Sequence, residues 1–273
     1  MRAILISRTK NLQMPQLLSE RIWIWLFNRS FIMNEHLSSA SLKTLAKGQL
    51  LGKYGTLVGA YAIHMACVLF ATLCDLLFVD TTTLIGIIIY YAVSFIISLL
   101  SGLFVFGEAY IYLKLACNQQ VTIGDLFYGF SNGSDKVLKV QAVLALISMI
   151  LGIPNILVSY NQNALLTNPY LLLICVIVIL IFAVADVVIS LIFSQSFYLM
   201  LDFPGYSPME VLRGSYKIMK GSKGRLFYID LSFIPLFLLG LCTCGIGFLW
   251  ILPYYQSTRA NFYLDLMKKR NND

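Results

Sequence analysis

Five long apolar runs dominate this sequence and limit the folds that are open to it. They lie near residues 54–79, 84–107, 138–158, 169–195 and 226–252. Each is close to or longer than the ~20 residues with which an α-helix crosses a bilayer. Charged residues make up 12% of the chain, whereas they are roughly a quarter of a soluble domain. The sequence therefore predicts an all-α polytopic membrane protein rather than a soluble one.

The net charge of +7 does not indicate a nucleic-acid partner. The basic residues lie mainly in short segments between the apolar runs, where the positive-inside rule places them in membrane proteins. We expect the bilayer and its anionic headgroups as partners, with a protein partner or a homo-oligomer as further options, and no nucleic acid.

The sequence contains no known spacing of catalytic or metal-binding residues. It has no His-Glu-x-x-His, no Gly-x-Ser-x-Gly and no P-loop. The six cysteines lack the paired spacing of a disulfide framework or a zinc site. We therefore expect no enzyme activity, no metal and no cofactor.

Two markers that recur three times in the same order indicate an internal repeat. The first is a hydroxyl residue, a polar residue and a glycine at 0, +3 and +7: Ser41-Thr44-Gly48, Thr122-Asp125-Gly129 and Ser207-Glu210-Gly214. The second is Tyr-Leu-x-Leu at 112–115, 198–201 and 263–266. The predicted unit is a cytoplasmic amphipathic helix followed by a transmembrane hairpin. The three units cover about 41–115, 122–201 and 207–266.

The repeat also determines the predicted number of spans. It divides the last run at Cys242-Thr243-Cys244-Gly245 into crossings at about 226–241 and 246–266. The basic tail at 267–273 then returns to the cytoplasm, as the positive-inside rule requires. We predict six transmembrane helices with both termini cytoplasmic.

The domain organisation that follows is simple. Residues 37–266 form a single transmembrane domain, and residues 1–36 are an N-terminal extension. The extension contains Trp23 and Trp25 in a short apolar patch among basic residues. It is either an interfacial segment or lies upstream of a true start at Met33.

The most charged stretch, 202–227, opens on a helix start signal. Ser207, Pro208 and Glu210 have the spacing of an N-cap, a first-turn proline and a capping-box acid. Met209, Leu212, Tyr216 and Met219 recur at helical spacing. The helix is predicted either to lie on an anionic membrane surface or to be a solvated connection. The candidate headgroup contacts are Arg213, Lys217, Lys220, Lys223 and Arg225.

Four ionisable residues are predicted to lie within transmembrane spans, where each costs about 2.5–3.5 kcal/mol on insertion scales. They form a candidate intramembrane polar site: Asp186, His64, Glu108 and Arg259. Glu108, Ser194 and Arg259 each precede a repeat tyrosine by four residues, so a Glu108–Arg259 pair is one hypothesis. Separate snorkelling to the interface is the alternative. Asp186 could bind a cation or relay protons with His64, or be a structural protonated acid.

The C-terminal third resembles a known family. The residues that carry the likeness are Gly221-Ser222-Lys223, Asp230-Leu231-Ser232-Phe233, Gly245-Ile246-Gly247, Pro253-Tyr254 and Phe262-Tyr263. They are similar to the bacterial integral membrane family labelled domain of unknown function 975, over roughly 37–266. The chain departs from that family's His-Lys-Trp at 222–224 and lacks its Pro-Gly break before Tyr198.

The resemblance implies a multi-pass protein of the bacterial cytoplasmic membrane. It does not imply any particular activity for this chain. It also implies a distant likeness to the membrane domain of glycerophosphodiester phosphodiesterases. Two function classes remain. One is a non-enzymatic module that binds lipid or protein through basic amphipathic helices. The alternative is a small-solute or ion transporter or channel that uses the intramembrane polar residues.

Overall fold

The structure, a computed structural model, describes residues 37–78, 83–160 and 169–270. Within these ranges the chain is helical and contains no β-strand. The helices are α1 Ser39–Leu50, α2 Tyr54–Phe78, α3 Leu84–Ala116, α4 Tyr128–Ser131, α5 Ser134–Tyr160, α6 Pro169–Phe193, α7 Ser196–Asp202, α8 Pro208–Met219, α9 Lys223–Leu231, α10 Ile234–Cys242 and α11 Phe248–Arg270. The predicted N-terminal extension and the end of the basic tail lie outside the described residues.

Five helical stretches of the described chain are long and apolar enough to cross a membrane. They are Tyr54–Asp75, Ile85–Ala116, Ser134–Ile156, Tyr170–Asp202 and Lys223–Cys242. Their large apolar side chains are widely exposed, most of all along α6, where the most apolar window has no buried residue. Apolar surface on this scale needs lipid around it, so the predicted class, an all-helical membrane protein, is confirmed.

The well-packed core lies at one end of the bundle, where all three Tyr-Leu-x-Leu segments meet. Tyr112, Tyr198 and Tyr263 are each buried in the same apolar cluster. The Tyr198 and Tyr263 rings stack with centroids 5.4 Å apart, and the Tyr263 hydroxyl donates to Asp202 at 3.0 Å. Motifs that recur far apart in the sequence therefore pack together in space.

The C-terminal region turns back where the sequence predicted. α10 ends at Cys242, and α11 begins at Phe248 after a turn. Cys244 and Gly245 have φ angles of 52° and 88° in this turn, a left-handed conformation that ends a helix. α11 is not among the five apolar stretches, because polar residues such as Gln256, Arg259 and Asn261 interrupt it.

α11 is instead a central helix of the bundle. Its residues from Ala260 to Met267 are buried, and it packs against α1, α2, α3 and α10. Gln49 of α1 and Asn261 of α11 exchange side-chain hydrogen bonds of 2.7 and 3.1 Å. A polar helix within an apolar bundle is consistent with burial of its polar groups against other helices.

The three predicted entry helices differ from one another. α1 begins earlier than predicted, since Ser38 rather than Ser41 caps it and accepts from the Ser41 backbone N–H at 3.2 Å. The second copy is a 3-10 turn, Ile123–Phe127, followed by the single turn α4. Asp125 accepts from the backbone N–H of Thr122 at 2.8 Å there. Only α1 and α8 are therefore full amphipathic helices.

Candidate functional site

A cavity of about 280 Å³ lies between α3, α5, α6 and α11, beside the packed end of the bundle. Its polar lining comes from all four helices and includes three of the four predicted intramembrane residues. The polar and charged lining residues are Glu108, Ser148, Asp186, Ser190, Ser194, Gln256 and Arg259. The rest of the wall is apolar or aromatic, with Leu144, Phe193 and Phe197 among its members.

The three positions that precede the repeat tyrosines by four residues all line this cavity. They are Glu108 on α3, Ser194 after α6, and Arg259 on α11. One helical turn separates each from its tyrosine, so burial of the tyrosines in one cluster brings these three positions together. Three positions that share this spacing in the sequence therefore line the same cavity.

Glu108 is paired with the fourth predicted residue, His64. The Glu108 Oε1 and His64 Nδ1 atoms are 2.7 Å apart, and both side chains are buried. The other ring nitrogen of His64 lies 3.1 Å from the Ser101 hydroxyl, and its ring stacks on Phe104. His64 therefore supports Glu108 from behind the cavity wall.

Arg259 does not pair with Glu108, so that hypothesis is wrong. Its guanidinium donates to the Tyr255 hydroxyl at 3.2 Å, and Tyr255 donates to Asp230 of α9 at 2.9 Å. This series of hydrogen bonds links α11 to α9 through the neutral phenol of Tyr255. Within the described residues Arg259 forms no ion pair, although its side chain lines the cavity.

Asp186 lies on α6 in the lining of the cavity. It is exposed, and the described part of the chain gives it no hydrogen-bond partner or ion pair. Its neighbours Val187 and Val188 are exposed apolar residues on the helix surface. The predicted partnership with His64 is not formed, because His64 is bonded to Glu108.

Sequence reasoning missed the cavity residues Ser148, Ser190 and Gln256. Serine in an apolar run is common, because its hydroxyl can bond its own helix backbone. Ser190 does so, donating to Val187 O at 2.8 Å. For Ser190 a signal was present, since it stands four residues after Asp186 and four before Ser194, on one helix face. Sequence reasoning also missed Asp75, which is buried on α2 and accepts a hydrogen bond from the Ser94 hydroxyl at 3.2 Å.

A second candidate site is the exposed face of α8. The predicted capping box is confirmed: Ser207 accepts from the Glu210 backbone N–H, and Glu210 accepts from the Ser207 backbone N–H at 2.7 Å. The bonds that the Ser207 backbone N–H and hydroxyl donate to the carboxylate lower the pKa of Glu210. The buried residues of α8 are Val211, Leu212, Ser215 and Met219.

The exposed side of α8 mixes basic and apolar residues. Arg213, Lys217 and Lys220 are exposed, while Met209 and Tyr216, predicted in the apolar stripe, are 55% and 52% exposed. These five residues are called the α8 basic face below. Such a mixture of cations with an aromatic and an apolar side chain is typical of helices at a lipid headgroup layer.

The other two predicted headgroup contacts are engaged within the protein. Lys223 places its ammonium 5.6 Å from the centre of the Tyr216 ring. Arg225 forms an ion pair with the buried Asp265 at 2.8 Å and donates to the Leu37 carbonyl at 2.9 Å. Arg225 therefore joins α9, α11 and the segment before α1.

Among the described residues no group of three or more His, Cys, Asp or Glu side chains could hold a metal ion. The comparisons with known proteins give one match: a family model, described as protein of unknown function (DUF975), matches residues 33–270. No curated protein and no solved structure was found to match. The likeness to glycerophosphodiester phosphodiesterase membrane domains stays a prediction. Since the family match covers most of the chain, the protein belongs to the DUF975 family.

Proposed function

We propose that this chain is a non-enzymatic membrane protein that binds a small polar solute in the cavity and moves it toward one side of the membrane. The observation that carries the proposal is the meeting of Glu108, Asp186 and Arg259 around one cavity. A volume of about 280 Å³ is far larger than a single water needs, so it can hold a solute.

The free-energy cost of placing charged side chains at membrane depth supports the proposal. A charged side chain at membrane depth costs about 2.5–3.5 kcal/mol on insertion scales, and such residues usually face a water-filled cavity or a partner. Glu108 has His64 as its partner. Asp186 and Arg259 have no ion pair in the described residues, and both line the cavity. A ligand in the cavity would compensate both charges.

The proposed topology has six spans, with α11 as the sixth, and both termini in the cytoplasm of a bacterium. The short turn between α10 and α11 supports it, because a hairpin there returns the basic C-terminal end to the side of α8. The meeting of the three repeat-equivalent positions supports the three-unit repeat. In this topology the cavity lies nearer the cytoplasmic face.

Cysteines placed on the cavity wall should react with a membrane-impermeant thiol reagent. The background would have the six native cysteines replaced by alanine. Ser190→Cys and Ser148→Cys should be modified in inside-out vesicles and protected in intact cells, because water reaches the cavity from the cytoplasmic side. Mass spectrometry of the labelled protein would measure the modified fraction.

Val188→Cys is the matched control. Val188 lies two residues from Ser190, on the opposite side of α6, and is 43% exposed. It should face lipid and stay unmodified in both preparations. Cavity cysteines as unreactive as Val188→Cys would contradict an aqueous cavity, and labelling in intact cells alone would contradict the proposed orientation.

The α8 basic face supports a second candidate function, recruitment of anionic lipid. Its three basic residues are exposed and its Met209 and Tyr216 side chains can enter the interface. Basic residues at an anionic surface contribute about 1 kcal/mol each. A protein partner or a second copy of the chain on this face stays a prediction.

Neutralising the α8 basic face should remove a preference for anionic lipid. Arg213→Gln, Lys217→Gln and Lys220→Gln together should abolish the increase in thermal stability that phosphatidylglycerol nanodiscs give over phosphatidylcholine nanodiscs. Lys139→Gln removes an exposed cation of α5 and should leave the difference unchanged. An undiminished difference in the triple variant would count against this candidate.

A further inference from the structure

The charges around the cavity indicate the class of ligand. Glu108 already has a buried partner in His64, 2.7 Å away. The remaining charged lining residues are one acid, Asp186 on α6, and one base, Arg259 on α11. They come from different helices and form no ion pair with each other in the described chain.

We propose that the cavity binds a small zwitterion, its ammonium group at Asp186 and its carboxylate or phosphate group at Arg259. This inference rests on the proposed function, because it concerns the ligand of the same cavity. A zwitterion compensates both wall charges at once. A ligand with a single charge leaves one of the two lining charges without a direct ion-pair partner: Asp186, which has none in the described residues, or Arg259, which the Asp230 carboxylate reaches only through Tyr255.

The donors and acceptors of the cavity fit this class. A guanidinium has five N–H donors. One donor of Arg259 bonds the Tyr255 hydroxyl at 3.2 Å. The free edge of Arg259 suits a carboxylate or phosphate, which it can bind through two parallel bonds. Asp186 is acceptor-only when ionised and has no partner in the described residues, so an ammonium group suits it.

The remaining wall indicates a ligand with an apolar part. Leu144, Phe193 and Phe197 line the cavity. Ser194 also lines it, but its hydroxyl already donates to the Leu191 carbonyl oxygen at 2.8 Å. The apolar surface would contact the carbon chain between the two charged groups. Two sources offer this chemistry: a free amino acid, or the headgroup of an ethanolamine phospholipid entering past the exposed Asp186.

The test measures binding to the purified full-length chain by thermal shift and calorimetry. The free probes are ω-amino acids from glycine to ε-aminocaproate, with alkylamines and alkanoates of matched length. The best ω-amino acid should bind about tenfold more tightly than its matched amine or alkanoate, because each lacks one charged hydrogen bond. A parallel arm compares stabilisation by phosphatidylethanolamine with stabilisation by phosphatidylglycerol.

The variants at Asp186 and Arg259 should each lose the binding contribution of one charged group of the ligand and keep that of the other. Asp186→Asn should reduce ω-amino acid binding to the alkanoate level while alkanoate binding is kept. Arg259→Gln should reduce it to the alkylamine level, and Arg259→Lys is the second variant in case the loss of the Tyr255 contact prevents folding. Val188→Ala changes a residue of α6 that does not line the cavity, and it should bind as the native chain does.

Binding of a free ω-amino acid that depends on Asp186 supports a free solute, and stabilisation by phosphatidylethanolamine alone with the same dependence supports a lipid headgroup. Equal binding of the matched amines or alkanoates overturns the inference. So does the absence of any response to either zwitterion. If the cavity cysteines react in either of those cases, the proposed function stands and only the ligand class is wrong.

Discussion

Replacing Gly107 by alanine should prevent the chain from folding stably. A Cβ atom at this position of α3 would collide with the backbone carbonyl of Leu126 in the 3-10 turn. Backbone cannot move aside as a flexible side chain can. Overpacking of this kind costs up to about 3 kcal/mol and sometimes more, although alanine favours the helix. The midpoint of thermal unfolding in detergent, followed by size-exclusion chromatography, would report the loss.

Gly48→Ala is the matched control for this prediction. Gly48 also lies in a helix, but a Cβ atom there meets nothing within 4 Å. Alanine should therefore leave stability unchanged or raise it by about 1 kcal/mol, the helix-propensity difference. A Gly107→Ala protein as stable as Gly48→Ala would show that α3 and the 3-10 turn are less closely packed than the structure indicates.

Asp265→Ala should destabilise the protein almost as strongly. Asp265 is buried and binds Arg225 at 2.8 Å through one carboxylate oxygen and the Leu37 backbone N–H at 3.2 Å through the other. Removing it leaves the cation and the backbone donor unsatisfied. Breaking a fully buried pair costs about 3–5 kcal/mol. We expect about 2–3 kcal/mol, because the Arg225 side chain is 28% exposed.

A double-mutant cycle separates the ion pair from the rest of this contact. Arg225→Ala with Asp265→Ala should cost clearly less than the sum of the two single changes, because the single change at Asp265 leaves a charge without its partner. Chemical denaturation in mixed detergent micelles would give the three free energies of unfolding. Additive losses would mean that the two side chains act independently.

Some features of the site followed from local sequence alone. The α8 capping box needed only Ser207 and Glu210, three residues apart. The cavity positions Glu108, Ser194 and Arg259 needed only their common spacing from a tyrosine. Each depends on neighbours in the chain, whose geometry a helix sets.

The errors arose where distant parts of the chain compete. Ser38 and Ser41 could each cap α1 by local rules. The observed helix begins at Ser39 and buries Leu42, Ala46 and Leu50 in the packed core. Glu108 and Arg259 were expected to pair by position. His64, 44 residues before Glu108 in the chain, occupies the carboxylate instead, and no local rule could reveal that.

The sequence by itself determined that this protein is a helical membrane protein with basic segments between its spans, because hydropathy and charge act residue by residue. It also located the ionisable residues whose burial needs an explanation. Only the tertiary structure decided their partners: His64 for Glu108, Tyr255 for Arg259, and none in the described chain for Asp186. The physical reason is that a partner depends on which helices pack together. Asp186, Ser190 and Ser194 follow one another at four-residue spacing and mark a polar face on α6, but the sequence pattern does not show which helices that face meets, and packing alone selects them.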